Sequence, residues 1–173
     1  MILKKLESIK TIKPFDCGDS DLNGFLLDDS RYYHQQFLAH TYVIENESLT
    51  IGYFSLLTDK ISKSDLDKSL WRKLRKDIPH EKHYDSYPAI KIGRLAISFR
   101  FKGLGIGTNV LDAIKRRLSA NEEYAACRFL TVDAYKESVD YYLKNRFLPL
   151  LKEPPKNSHT VPMYFDLKKA RSK

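Results

Sequence analysis

The chain has 173 residues, 42% hydrophobic and 30% charged, with a formal net charge of +8. That length supplies one ordinary buried core and the apolar content excludes wholesale disorder, so a single domain over 1–173 is expected. The opening "MILKKLESIK", charged at Lys4, Lys5, Glu7 and Lys10, excludes a secretory signal core, and no segment approaches the roughly 20 apolar residues of a membrane span, so a cytoplasmic protein with no membrane partner is expected.

After a turn at Cys17–Gly18, the segment from Asp19 to Phe37 places apolar or aromatic residues at 22, 25, 26, 33 and 37, mostly at helical offsets, with Asp19 or Ser20 as cap. One or two helices are predicted there. "AHTYVIE" and "TIGYFSLLTD" read as two strands of a hairpin around "NESL". Residues 59–86 form a charged helical excursion, in which Leu66, Leu70, Trp71 and Leu74 make the stripe of an amphipathic helix before a Pro-interrupted loop. "YPAIKIGRLAIS" is the most strand-like stretch, with Pro88 confining its start to an edge or loop entrance. A helix follows from Thr108 to about Leu118, with Val110, Leu111, Ile114 and Leu118 facing inward. "CRFLTVDAY" is a strand, "KESVDYYLKNRF" a short helix presenting Val139, Tyr142 and Leu143, and "HTVPMYFDLKK" the final strand. This order predicts an α/β (α+β) fold with a central mixed sheet flanked by helices.

Between the strand and the Thr108 helix stand Gly103, Gly105 and Gly107. A strand, a glycine turn and a helix start make an anion trap, because the first-turn N–H groups lack internal acceptors and the peptide dipoles favour negative charge there. Lys102 and Arg100 add positive charge at its rim. The stretch is not a P-loop, since Thr108 and Asn109 follow Gly107 where Lys-Ser/Thr would stand. Nor is it a dinucleotide fingerprint, whose Gly-x-Gly-x-x-Gly differs from the Gly-x-Gly-x-Gly here. Cys17 and Cys127 read as free thiols and histidines 34, 40, 80, 83 and 159 as ordinary loop residues, so no metal is expected. Basic clusters at Arg72, Lys73, Arg75 and Lys76, at Lys115, Arg116 and Arg117, and at Lys168, Lys169, Arg171 and Lys173 fit either an anionic partner or a solvated surface.

"GRLAISFRFKGLGIG" resembles the acetyl-CoA-binding strand and pyrophosphate loop of the GCN5-related N-acetyltransferase superfamily, whose pattern is Arg/Gln-x-x-Gly-x-Gly/Ala. Lys102, Gly105 and Gly107 stand at the matching positions, Lys102 replacing the usual Arg or Gln. "FDCGDSDLNGFL", "IGYFSLL", "IGRLAIS" and "VDYYLKNRF" are similar in content and order to the branch of bacterial toxins that acetylate the amino group of aminoacyl-tRNA. That branch carries Ala-x-x-Phe-Tyr and then Gly-Phe. Here Ser138, Tyr141 and Tyr142 match the first loosely, Arg146 replaces the Gly, Phe147 is retained, and Tyr135 stands where an Asn is common.

The resemblance implies direct acetyl transfer from acetyl-CoA to a primary amine, without a covalent enzyme intermediate or a metal. It implies that Lys102, Gly103, Leu104, Gly105, Ile106, Gly107 and Thr108 receive the pyrophosphate, and that the backbone of Leu95, Ala96 and Ile97 pairs with the pantetheine arm. Tyr142 is the leading general acid, a phenol being protonated near neutrality. The base is open among Glu137, Asp133, a histidine and water. The acceptor implied by the toxin branch is aminoacyl-tRNA, with an antitoxin and a homodimer as expected partners. A small-molecule or protein amine, or an inactive fold that binds nucleic acid or a partner protein, are the alternatives.

Overall fold

The β-branched and aromatic runs of the first half are realised as an antiparallel meander. In the computed structural model, which describes residues 1–6, 12–76, 84–120, 126–153 and 157–171, strand β1 (Ile2–Lys5) pairs with β2 (His40–Glu45), and β2 with β3 (Thr50–Ser62). β3 and β4 (Ser86–Ile97) are antiparallel neighbours: Lys63 N–H donates to the Asp85 carbonyl and Ser98 N–H to the Ile51 carbonyl, both at 2.8 Å. β5 (Phe129–Tyr135) runs the same way as β4, since Arg128 meets Pro88 and Thr131 meets Ile90. β7 (Thr160–Asp166) is antiparallel to β5, and the two-residue β6 (Leu148–Pro149) lies beyond it. The seven strands take the order β1-β2-β3-β4-β5-β7-β6, the mixed sheet that the sequence predicts.

Asp19 caps α1 (Ser20–Gly24) by accepting from Leu22 N–H at 3.0 Å, and a π-helical turn, Phe25–Asp29, carries the chain into α2 (Ser30–Gln35). The amphipathic helix of the excursion is α3 (Lys68–Arg75), which buries Trp71 and Leu74. α4 (Ile106–Ala120) follows the glycine turn, α5 (Val139–Lys144) precedes β6, and α6 (Lys168–Arg171) ends the described chain. Among the described residues no helix is long and apolar enough to cross a membrane.

Several boundaries differ from expectation for local reasons. β3 continues through Ser62 and β4 starts at Ser86, so strand takes up both ends of the charged excursion. His80 and His83 lie outside the described residues, as do Glu7, Lys10 and Lys173. Pro88 sits within β4 rather than ahead of it, two residues after the strand begins, where its carbonyl still accepts from Arg128. α4 starts two residues before Thr108, taking Ile106 and Gly107 into its first turn. Leu143 is exposed, and the buried face of α5 is supplied by Tyr142, with Asn145 buried at its end. β1, β6 and α6 were not expected; each is too short or too charged to show a period.

Contacts gather the chain into two units, Met1–Thr58 with Ile92–Ala113, and Asp59–Lys91 with Ile114–Lys173. In the first, Leu6, Phe15, Phe25, Leu26, Val43 and Tyr53 enclose Cys17 and Ala96. In the second, Ile61, Trp71, Leu74, Tyr87, Phe129 and Tyr164 form the core, with Trp71 stacked on Tyr87 at 5.1 Å.

The first unit depends on a close approach of β3 to the end of β4. A Cβ on Gly52 would lie 2.6 Å from Ile97 Cδ1 and 2.8 Å from the Ala96 carbonyl oxygen. The backbone oxygen cannot give way as a side-chain tip can. Gly52→Ala is therefore expected to lower stability by about 1–3 kcal/mol, read from urea unfolding at constant m-value.

Candidate active site

The glycine turn starts where β4 ends. Ser98 N–H closes onto Ile51, and a 3-10 turn, Phe99–Phe101, redirects the chain. Gly103 and Gly105 then adopt φ of +80° and +72°, a left-handed conformation that costs an L-residue about 1–2 kcal/mol. A Cβ at either position would meet no protein atom within 4 Å. Glycine is therefore required there by backbone conformation, and the space beside it is open to a ligand. Lys102, Gly103, Leu104 and Gly105 are exposed, and Ile106 and Gly107 half-buried. Asn109 N–H to the Gly105 carbonyl, at 3.1 Å, is an early rung of the helical ladder. By helix geometry the backbone N–H groups ahead of it point out of the start of a 15-residue helix, the positive end of its dipole.

A second turn braces this loop. Asp16 Oδ1 accepts from Gly18 N–H at 2.8 Å and Asn23 Nδ2 at 2.9 Å, while Asn23 Oδ1 accepts from Cys17 N–H at 3.0 Å. The Gly18 N–H, then Asn23, and more weakly the Lys102 charge hold the Asp16 carboxyl below its ordinary range. From this turn the Asp16 carbonyl accepts Phe99 N–H at 3.0 Å and the Cys17 carbonyl accepts Lys102 Nζ at 2.8 Å. Lys102 thus ties the glycine loop to residues 16–18. Asp16 and Asn23 were not singled out from the sequence. The Asp-x-Gly spacing of an Asx turn was the available signal.

Leu95, Ala96 and Ile97 complete β4, with Ala96 buried and the flanking pair half-buried. Just before them, Arg94 donates to the Gly93 carbonyl at 3.0 Å, lies over the Phe25 ring at 5.1 Å and stands 3.7 Å from an Asp21 oxygen. All the predicted donor-binding residues, from Leu95 to Ile97 and from Lys102 to Thr108, belong to the first unit.

Tyr142 belongs to the second unit. It lies on α5, 7% exposed, edge-on to Phe147 at 5.4 Å and to Tyr141 at 5.1 Å. Burial alone pushes its phenol well above the ordinary value, because a phenolate there would be poorly solvated. The neutral O–H form is therefore held across the physiological range. Of the base candidates, Asp133 is ion-paired with Lys91, and Glu137 is exposed in the 3-10 turn Lys136–Ser138. His34 and His40 face one another, Nδ1 to Nδ1 at 3.4 Å, in the first unit; His159 is exposed in the second. Burial raises both thiols, Cys17 and Cys127, which removes them as ready nucleophiles.

The basic clusters divide. Arg72, Lys73 and Lys76 on and just after α3 are exposed, as are Arg116, Arg117, Lys168 and Lys169. Lys115 is not a surface cation: it is 2% exposed and donates to the Asn145 carbonyl at 2.8 Å. It therefore leaves the set of candidate phosphate contacts.

No protein-family model matches the chain. Among characterised proteins it is 21% identical over 141 residues to a tRNA-acetylating toxin of Mycobacterium tuberculosis (strain ATCC 25618 / H37Rv), covering 81% of this chain and 80% of that one. Among solved structures it is similar to AtaT complexed with acetyl-methionyl-tRNAfMet, at a TM-score of 0.77 and 21% identity over 98% of this chain and 96% of the other. It is also similar to a Tyr-to-Phe mutant of the AtaT toxin bound to the C-terminus of the antitoxin AtaR and acetyl-CoA. There the TM-score is 0.72 and the identity 18%, over 98% and 95% of the two chains. With the glycine turn between β4 and α4, these likenesses give the chain the fold of the GCN5-related toxin N-acetyltransferases.

Proposed function

We propose that this protein is an acetyl-CoA-dependent N-acetyltransferase that acetylates the amino group of aminoacyl-tRNA, acting in the cytoplasm as the toxin of a toxin–antitoxin pair. The observation that carries the reading is the turn after β4, where two left-handed glycines open directly onto the start of α4. The fold likeness to AtaT over 98% of the chain supports it, as does the toxin of M. tuberculosis at 21% identity.

In this reading the N–H groups from Gly103 to Thr108 hold the pyrophosphate of the donor, and the backbone of Leu95–Ile97 aligns its pantetheine arm. A neutral amine attacks the thioester carbonyl, forming the C–N bond. The tetrahedral species then collapses, breaking the C–S bond. The departing thiolate takes the proton of the Tyr142 hydroxyl, the proton lost by the amine passes to water or to a base that the reading leaves open, and solvent returns a proton to the Tyr142 phenolate. Tyr142 enters the step in its neutral, proton-bearing form, which burial favours.

Acetyl-CoA binding and transfer are separable by mutation. Gly105→Glu places volume and negative charge at a left-handed position beside the pyrophosphate, and calorimetry is expected to show at least a tenfold loss of acetyl-CoA affinity. Unchanged affinity would remove the loop from the donor site.

Tyr142→Phe is expected to keep acetyl-CoA affinity while transfer falls about 10²–10⁴-fold. Because the phenol pKa is raised, its proton stays bound up to and beyond the ordinary value near 10. The wild-type rate should therefore show no alkaline loss from this group below that pH. Wild-type turnover in the variant would refute the acid assignment.

The exposed cations of α3 make the acceptor testable. Charge reversal at Arg72, Lys73 and Lys76 together is expected to weaken acetylation of charged tRNA and to flatten its salt dependence by about three in the log–log slope, near 0.9 per phosphate contact. Efficient transfer to polyamines or aminoglycosides that tRNA fails to inhibit would replace the tRNA acceptor with a small amine.

A further inference from the structure

Lys115 is a buried cation that the proposed reaction leaves unused. Its Nζ donates to the Asn145 carbonyl at 2.8 Å and stands 5.2 Å from the Phe147 ring centroid and 4.7 Å from that of Phe165. A buried ammonium is costly unless it is held by acceptors, and an apolar side chain of similar length would fill the same space at lower cost. Packing alone is therefore a poor reason for a lysine here.

What the ammonium grips is the end of the helix that carries Tyr142. Asn145 closes α5: its N–H returns to the Tyr141 carbonyl at 3.1 Å and its Nδ2 to the same oxygen at 2.8 Å. The chain then reverses at Arg146, with φ of +65°, and Phe147 N–H donates to the Tyr142 carbonyl at 3.0 Å. The Phe147 ring in turn supports the Tyr142 ring edge-on at 5.4 Å. One ammonium thus holds both the closing carbonyl of α5 and the ring against which Tyr142 rests. A cation at a helix C-terminus also complements the negative end of the peptide dipoles.

We propose that Lys115 is a positioning residue for the acid step, fixing the Tyr142 phenol through the Asn145 carbonyl and the Phe147 ring. The proposal rests on the reading of Tyr142 as the general acid. Misplacement of a catalytic group by about 1 Å can cost up to 10²-fold in rate, which sets the scale of the effect.

The test compares Lys115→Met and Lys115→Gln, alone and combined with Tyr142→Phe. Met keeps length without charge or donor; Gln keeps a donor without charge or reach. Each single variant is expected to fold, to bind acetyl-CoA within about twofold of wild type, and to lose about 10-fold or more in kcat at unchanged KM for acetyl-CoA. In the Tyr142→Phe background the same substitutions are expected to cause no further loss, because the group they position is already gone. A fluorotyrosine resonance at position 142 should broaden or split in Lys115→Met. If Tyr142→Phe is impaired but either folded Lys115 variant turns over at the wild-type rate, or the losses multiply in the double variant, the positioning role is overturned. Full activity in Tyr142→Phe alone would instead overturn the acid reading, and with it this inference.

Discussion

The start of a helix is the positive end of its dipole, with its first-turn N–H groups aimed outward along the axis. The first unit is built to present that end of α4. α4 can open at the end of β4 only because the chain changes direction within eight residues through two left-handed glycines. That reversal is held from outside, by the Asp16 carbonyl on Phe99 and the Cys17 carbonyl on Lys102. The residue 16–18 turn is itself fixed by Asp16 and Asn23, and α1 beyond it is anchored where the buried Tyr53 hydroxyl donates to the Leu22 carbonyl at 2.7 Å. A glycine loop left to itself would sample many conformations. Here a network of short polar contacts sets one of them in advance, so little ordering remains to oppose ligand binding.

Part of the positive charge is paired or buried. Arg128 forms a bidentate pair with Asp166 at 2.7 and 2.8 Å, Lys91 is matched by Asp133, and Lys4 by the buried Glu45 at 2.8 Å. Lys115 is internal. Exposed cations stand on α3, the second half of α4 and the start of α6, and also at Lys5, Arg31, Lys60, Lys63, Arg100, Lys102, Lys136, Lys144, Arg146 and Lys152. The net charge of the chain is therefore a poor guide to which residues would face a polyanion.

Much of the fold was legible because apolar spacing reports burial directly. The β2–β3 hairpin, the stripe of α3, and Val110, Leu111 and Ile114 on α4 all follow it. Strand pairs without that contrast were not legible: Leu148–Pro149 is two residues long, and Ile2 and Leu3 of β1 are exposed. The glycine turn ahead of α4 could be read because glycine at alternate positions before a helix has few structural explanations. Lys115 was misread as a surface cation because it stands in a run with Arg116 and Arg117, and sequence does not show which member of a charged run turns inward. The bracing by Asp16 and Asn23 was missed because hydrogen bonds across a turn leave no periodicity.

Arg146 occupies a left-handed position at the end of α5, and its guanidinium lies 5.7 Å from the centre of the Phe165 ring. The backbone cost of an L-residue there is about 1–2 kcal/mol, and a cation stacked on an aromatic face returns roughly 0.5–1 kcal/mol of it. The ring at 165 thus offsets part of the backbone cost at 146. Loss of the ring at 165 removes that compensation, so a change of Phe165 should be better tolerated beside glycine at 146 than beside arginine.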